Sequence, residues 1–199
     1  MNKTIPRLAV FISGTGTNLQ ALIDAKKKKK LEAEIALVVS SSPSAAGLGK
    51  AEKEGIETFV FQEKEFASKE EATNALLSIL REKKIEYIAL AGYLKIIAAE
   101  IISEYENKII NIHPAILPKY GGQGMYGIHV HEAVIAAHDK ESGLTIHLVD
   151  EKYDHGRILK QIKVPVYEDD TPGLLQQRIL KEEHKHYPIF VNKLVKGEI

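Results

Sequence analysis

The chain has 199 residues and no cysteine. That excludes disulfides, thiolate catalysis and cysteine-ligated zinc, and it fixes no compartment. Net charge is missing as well: 27 Lys plus Arg stand against 27 Asp plus Glu. No global field therefore draws the protein to nucleic acid or an anionic membrane, and any anion must be bound locally. Long apolar runs are also absent. Residues 8–12 are too few for the core of a signal peptide and stop at Ser13-Gly14, and no stretch approaches membrane-spanning length. These absences predict a soluble cytoplasmic protein whose partners are small molecules, with no nucleic acid and no membrane. The 44% hydrophobic content is ordinary for a globular chain of this length and predicts one domain around one sizeable core.

What the chain does contain is alternation of strand and helix. Residues 8–12 are continuously apolar, as in a strand buried on both faces of a parallel sheet. Beyond the loop Ser13-Gly14-Thr15-Gly16-Thr17-Asn18, Leu19, Leu22 and Ile23 recur at helical spacing. The lysine run 26–30 then falls at the helix end, where cations suit the macrodipole. Two glycines let the loop backbone approach a ligand, and helix-start amides would face it, so Gly16, Thr17 and Asn18 form a candidate anion site. Leu19 stands where the third glycine of a dinucleotide fingerprint would be, and there is no Gly-Lys-Ser/Thr of a P-loop, so a small phosphate monoester fits better. A tight turn capped by Thr17 or Asn18 accounts equally well for the same residues.

Further strands are expected at 35–39, 57–61 and 85–91. Ser68-Lys69-Glu70-Glu71 reads as a capping box opening a helix. The apolar segment Gly92-Tyr93-Leu94-Lys95-Ile96-Ile97 either lines an aromatic-ligand pocket or starts the next helix. This alternation through residue 112 predicts right-handed βαβ units and a doubly wound, mostly parallel α/β sheet in a single domain.

The apolar run 108–113 ends in Asn111-Ile112-His113-Pro114. Proline forbids further pairing, and Asn111 and His113, two apart, leave an extended strand on the same face. In an open α/β sheet that strand end faces the ligand crevice. Asp154, in the acidic turn after a strand at 145–149, is the best available carboxylate partner. It would orient the imidazole and raise its pKa, while Asn111 holds an oxyanion, a combination suited to acyl transfer without metal. Four glycines between 121 and 127 predict a mobile surface loop. His129 and His131 would diverge on the helix expected at 129–138, and without a third ligand no metal site is predicted. His147 is either a core histidine or a support for Asp154. Thr171-Pro172 opens a C-terminal helix that Pro188 should kink.

Asn111 to Pro118, reading NIHPAILP, is similar to the signature of the folate-dependent formyltransferases, and Asp154-His155-Gly156 resembles their catalytic aspartate loop. Within that superfamily, Ile12 to Gln20 resembles the N-terminus of the phosphoribosylglycinamide formyltransferases of the purine pathway. The resemblance runs from about Leu8 to Leu194. It implies a Rossmann-like formyltransferase fold over 1–199, with a phosphate-binding βαβ half at 1–110 and a catalytic and folate-binding half at 111–199. It implies formyl transfer from 10-formyltetrahydrofolate to the amine of glycinamide ribonucleotide, by a monomer or homodimer. The residue roles it implies are catalysis by Asn111, His113 and Asp154, and ribonucleotide binding by Gly16, Thr17, Asn18 and Glu183. Folate would be held by Lys69, Leu94, Lys95, Ile96, Ile97 and Asn111.

Lys69 and Lys95 stand where many members have arginine, which turns a bidentate contact into a point charge. His155 takes a position often held by glycine, the family's proline after Lys119-Tyr120 is absent, and the glycine-rich segment resembles a small insertion. Methionyl-tRNA formyltransferase and formyltetrahydrofolate deformylase fit less well. No tRNA-binding extension follows, no regulatory domain precedes Leu8, and the phosphate loop would have no purpose in a deformylase. A phosphate-ligand binding protein without turnover is the reading from another class, against which the intact Asn111, His113 and Asp154 speak.

Overall fold

The first strand carries apolar residues on both faces, and both faces are covered. In β1 (Arg7–Ile12), Leu8, Val10 and Ile12 join one apolar cluster and Ala9 and Phe11 the other. A strand must be sandwiched between helical layers to bury successive side chains in this way. The computed structural model describes residues 5–199, so residues 1–4 of the expected 1–199 domain lie outside the described residues.

The remaining strands are β2 (Glu34–Ser40), β3 (Thr58–Val60), β4 (Tyr87–Leu90), β5 (Ile109–His113), β6 (Glu141–Leu148) and β7 (Ile158–Pro165). They form one sheet in the order β3-β2-β1-β4-β5-β6-β7. The first five strands pair parallel, and β6 and β7 add antiparallel. One face is covered by α1 (Thr17–Lys27), α2 (Ala46–Lys53), α5 (Ile128–Ala136) and α6 (Pro172–Val195), and the other by α3 (Lys69–Glu82) and α4 (Ala99–Glu104). This is the single-domain, doubly wound arrangement expected from the alternation of elements. The strand order reverses between β1 and β4, which opens a crevice at their carboxyl ends.

Local chemistry explains several element ends. Ser68 Oγ accepts the Glu71 N–H at 3.1 Å, as the capping box predicts, while Glu71 reaches back to the Ala67 amide at 3.0 Å. Thr171 caps α6 by accepting from Leu174, and the helix continues through Pro188 to Val195. Tyr187 is fully buried on α6, its hydroxyl 2.7 and 3.1 Å from the Leu90 and Ile110 carbonyl oxygens, and so ties the helix to β4 and β5.

Strand β6 begins four residues earlier than the expected start at Thr145. Ser142-Gly143 has the composition of a turn, but Gly143 is needed inside the strand: a Cβ there would run into the Ile162 carbonyl of β7. Among the described residues no helix is long and apolar enough to cross a membrane.

Candidate functional site

A cavity of about 590 Å³ opens where the carboxyl ends of β1, β4 and β5 meet. Its first wall is the loop after β1. Gly16 caps α1 with a left-handed backbone (φ 66°) and no side chain caps the helix, so neither Thr17 nor Asn18 acts as the expected cap. Glycine is required at this point: a Cβ on Gly16 would lie 2.7 Å from the Gly47 Cα of α2. The unsatisfied amides of the first turn of α1 are thereby left for an anionic ligand. Asn18 is buried and donates to Glu183 Oε2 of α6 at 2.7 Å. Burial pushes the Glu183 carboxyl up to about 7, against the opposing effect of the Asn18 amide.

The second wall is the segment after β4. Leu94, Lys95, Ile96 and Ile97 all line the cavity, so this segment forms a pocket wall before α4 begins. Leu94 and Ile96 are 42% and 53% exposed, an apolar surface turned toward the opening, and the Leu94 amide is held by Ser13 Oγ at 2.9 Å.

Between these walls stands a polar cluster. Asn111 on β5 is paired with His147 on β6, so the two side chains share a face, and Asn111 Nδ2 lies 3.1 Å from His147 Nε2. His147 Nδ1 lies 2.8 Å from the Leu148 carbonyl, which only accepts. Nδ1 therefore carries the proton, and Nε2 accepts from Asn111. Asp154 sits on a left-handed turn residue (φ 53°). Its Oδ2 accepts the Gly122 N–H at 3.0 Å, and its Oδ1 lies 3.4 Å from both Asn111 Nδ2 and His113 Nδ1. His113 Nε2 donates to the Tyr120 carbonyl at 2.7 Å.

Burial pushes the Asp154 carboxyl up, but the neighbouring His147 and His113 rings and the Gly122 amide outweigh it and bring its pKa below the usual value. For His113 the expected direction is reversed. Burial lowers its pKa more than Asp154 and the Tyr120 carbonyl raise it, so the imidazole is held toward its neutral form. The carboxylate opposes this and does not win, because the ring is almost wholly withdrawn from water.

Residues 6–191 match the family described as formyl transferase. The chain is 42% identical to a chloroplastic phosphoribosylglycinamide formyltransferase of Vigna unguiculata, over 97% of this chain and 62% of the relative, so it spans less than two thirds of that protein. It is 37% identical to the phosphoribosylglycinamide formyltransferase of Haemophilus influenzae, over 97% of this chain and 89% of the relative. The crystal structure of the phosphoribosylglycinamide formyltransferase from Bacillus halodurans superposes with a TM-score of 0.89 at 35% identity, covering 97% of each chain. The chain belongs to the formyl transferase family.

In this formyl transferase, Gly16, Thr17, Asn18, Leu94, Lys95, Ile96, Ile97, Asn111, His113, Asp154 and Glu183 all line one cavity. Lys69, expected beside the folate, does not line it. It is the first residue of α3, and its side chain is 89% exposed, with Glu63 at 3.9 Å as its ion-pair partner. The histidine pair also separates: His129 is exposed beside Glu132 at 3.0 Å, whereas His131 is buried at the cavity wall, where burial lowers its pKa to about 4. Among the described residues no group of three His, Asp or Glu could hold a metal. His155 turns outward to Asp150 at 2.7 Å, leaving the Asp154 turn intact. The residues that reasoning from sequence missed are the Tyr120 carbonyl and Gly122 amide, which carry no side-chain signal, and Met125 and Tyr126 of the glycine-rich loop.

Proposed function

We propose that this formyl transferase moves the formyl group from 10-formyltetrahydrofolate to the amine of glycinamide ribonucleotide, giving formylglycinamide ribonucleotide in purine biosynthesis. One observation carries the reading: Asn111, His113 and Asp154 meet within 3.4 Å contacts in a cavity that an uncapped helix start and an apolar wall also line. The helix start suits the ribonucleotide's phosphate, and Glu183 with Asn18 suits its ribose hydroxyls. The wall of Leu94, Lys95, Ile96 and Ile97 suits the flat folate ring. The division at 110/111 is thus crossed by both substrates: the folate wall comes from the first half and Glu183 from the second.

In this mechanism the ribonucleotide amine attacks the formyl carbon, and negative charge develops on the formyl oxygen. Asn111 Nδ2 and the Nδ1–H of a protonated His113 receive that charge, the arrangement by which preorganised donors lower such barriers. The lowered Asp154 carboxylate stays ionised near neutral pH and favours positive charge on His113 as the oxyanion forms. As the tetrahedral intermediate collapses, Asp154 takes the proton of the attacking amine and passes it to the folate nitrogen, which leaves as a neutral amine while its bond to the formyl carbon breaks. Both substrates are small molecules, and the reading is of a cytoplasmic enzyme acting as a monomer or homodimer.

The test is absorbance-monitored conversion of a 10-formyl-folate to the deformylated folate, with and without glycinamide ribonucleotide, on the parent and on Asp154→Asn. Loss of a charge about 4 Å from the imidazole, at an effective dielectric constant of about 20, removes about 4 kcal/mol. The expected result is ribonucleotide-dependent turnover that falls about a thousandfold in kcat in the variant. Turnover that proceeds equally without the ribonucleotide would overturn the assignment in favour of a deformylase.

A further inference from the structure

A second cavity, of about 570 Å³, lies between α1 and α6 on the other side of the phosphate loop, and Thr17 lines both cavities. Its lining includes Lys50 and His184. Lys50 is brought there by the contact that requires glycine at Gly16: α2 packs against the loop through Gly47, and Lys50 is one helical turn further on. The Lys50 ammonium donates to the Gly16 carbonyl at 3.2 Å. That carbonyl also accepts the first helical bond of α1, from Gln20 at 3.0 Å, so the ammonium sits at the positive end of a helix.

A cation at a helix N-terminus has the wrong sign for the macrodipole, and like charges there repel unless an anion lies between them. Among the described residues no carboxylate lies within ion-pair distance of Lys50. The one acid of the lining, Asp24, accepts from Gln20 Nε2 at 2.9 Å. His184 adds a second independent observation. Its Nε2 atom is buried and has no hydrogen-bond partner, which costs free energy unless a ligand fills the place. Burial first and the Lys50 charge next lower the His184 pKa, against the opposing effect of Asp24, so all three groups are close enough to feel one another.

We propose that Lys50 and His184 complete the phosphate site of the ribonucleotide, Lys50 by charge and His184 Nε2–H by donation to a phosphate oxygen, from the side of the loop opposite the reacting groups. The phosphate then sits where the two cavities meet at Thr17, between the α1 amides and the Lys50 ammonium. This inference rests on the functional reading above, and it adds a reason for preferring a phosphomonoester dianion to a neutral sugar. The ligand class follows from the lining: Lys28, Lys30, Lys50 and Lys185 against the one carboxylate Asp24, an imidazole and a helix end, with no aromatic platform for a base.

Ribose 5-phosphate and ribose are the probes, titrated calorimetrically into the parent, Lys50→Met, Lys50→Arg and His184→Gln, with circular dichroism as the check on folding. Charge-assisted hydrogen bonds of this kind are worth about 10- to 100-fold in affinity. Binding of ribose 5-phosphate should weaken by that factor in Lys50→Met, recover most of it in Lys50→Arg, and weaken less in His184→Gln. Ribose should bind none of the four measurably. In turnover, Lys50→Met should raise the ribonucleotide KM by a similar factor and leave kcat and the folate KM near the parent values. Equal affinity for ribose 5-phosphate in the parent and a folded Lys50→Met would overturn the proposal, as would a fall in kcat without a rise in KM. Intact Lys50-dependent binding of ribose 5-phosphate in a protein that transfers no formyl group would instead sink the functional reading alone.

Discussion

Replacing Glu183 by glutamine should remove a pH dependence from the stability of the protein, and the structure sets its size and sign. Glu183 is 5% exposed, and burial raises its pKa from 4.5 to about 7 in the fold. A raised carboxyl holds its proton in the folded chain at a pH where the unfolded chain has released it. Its contribution to stability is therefore fully present below pH 4.5 and is lost as pH rises through about 7. Each unit is worth about 1.4 kcal/mol, so between about pH 5 and about pH 8 the parent should lose about 2.5 kcal/mol that the variant does not lose. Glutamine keeps an oxygen for the Asn18 amide, so the bond across α1 and α6 survives. His113, His131 and His184, whose pKa values are all lowered, titrate in both proteins and cancel in the difference. Urea unfolding read by circular dichroism is the assay. With a slope of about 2 kcal/mol per molar, the gap between the two midpoints should change by about 1 M across that pH range. A gap that stays constant would refute the reasoning, since it would mean that Glu183 is already ionised in the fold below neutral pH.

Tyr187→Phe should leave kcat unchanged but cost about 1–2 kcal/mol, because the Leu90 and Ile110 carbonyls lose a buried donor; a scanning thermal melt should show a fall of about 3–6 °C. The His113 imidazole, followed by NMR of labelled histidine, should titrate below 6.5, and Asp154→Asn should move its midpoint further down, because the Asp154 charge is what opposes burial there. A midpoint that rises in the variant would contradict that electrostatic account.

Local signals made the sheet legible. The β1 run, the Ser68 capping box and the repeated strand-helix alternation each obey rules of neighbouring residues, and each element formed within a few positions of expectation. Asn111 and His113 could be placed at a strand end because Pro114 is a local stop. Their surroundings could not be read in the same way. His147 stands opposite Asn111 only through the antiparallel register of β5 with β6, 36 residues apart, which no periodicity encodes. Lys69 was expected beside the folate by similarity of position, but the capped start of α3 faces water. The direction of the His113 shift depends on how completely the ring is buried, a property of the packed fold. A carboxylate placed nearby by sequence argues for the opposite sign.

The long contacts to Asp154 carry a consequence for the chemistry. In the free protein both hydrogens of the Asn111 amide and the one N–H of the neutral His113 ring already face an acceptor. Asn111 Nδ2 gives one hydrogen to His147 and points the other at Asp154, and His113 gives Nε2–H to the Tyr120 carbonyl and turns Nδ1 toward Asp154. These contacts differ in strength. Those to His147 and Tyr120, at 3.1 and 2.7 Å, have ordinary hydrogen-bond lengths, whereas the two to Asp154, at 3.4 Å, lie beyond the usual range and are the cheaper to exchange. In the proposed reaction, Asp154 Oδ1 would thus occupy, weakly, the place that the formyl oxygen is to take as it becomes negative. Its other oxygen stays anchored on the Gly122 amide. On the proposed mechanism the strong contacts would keep Asn111 and His113 aimed while the weak ones yield, with the carboxylate close enough for its charge to act on the imidazole. Positioning and electrostatics are in this way divided between the two kinds of contact made by the same four side chains.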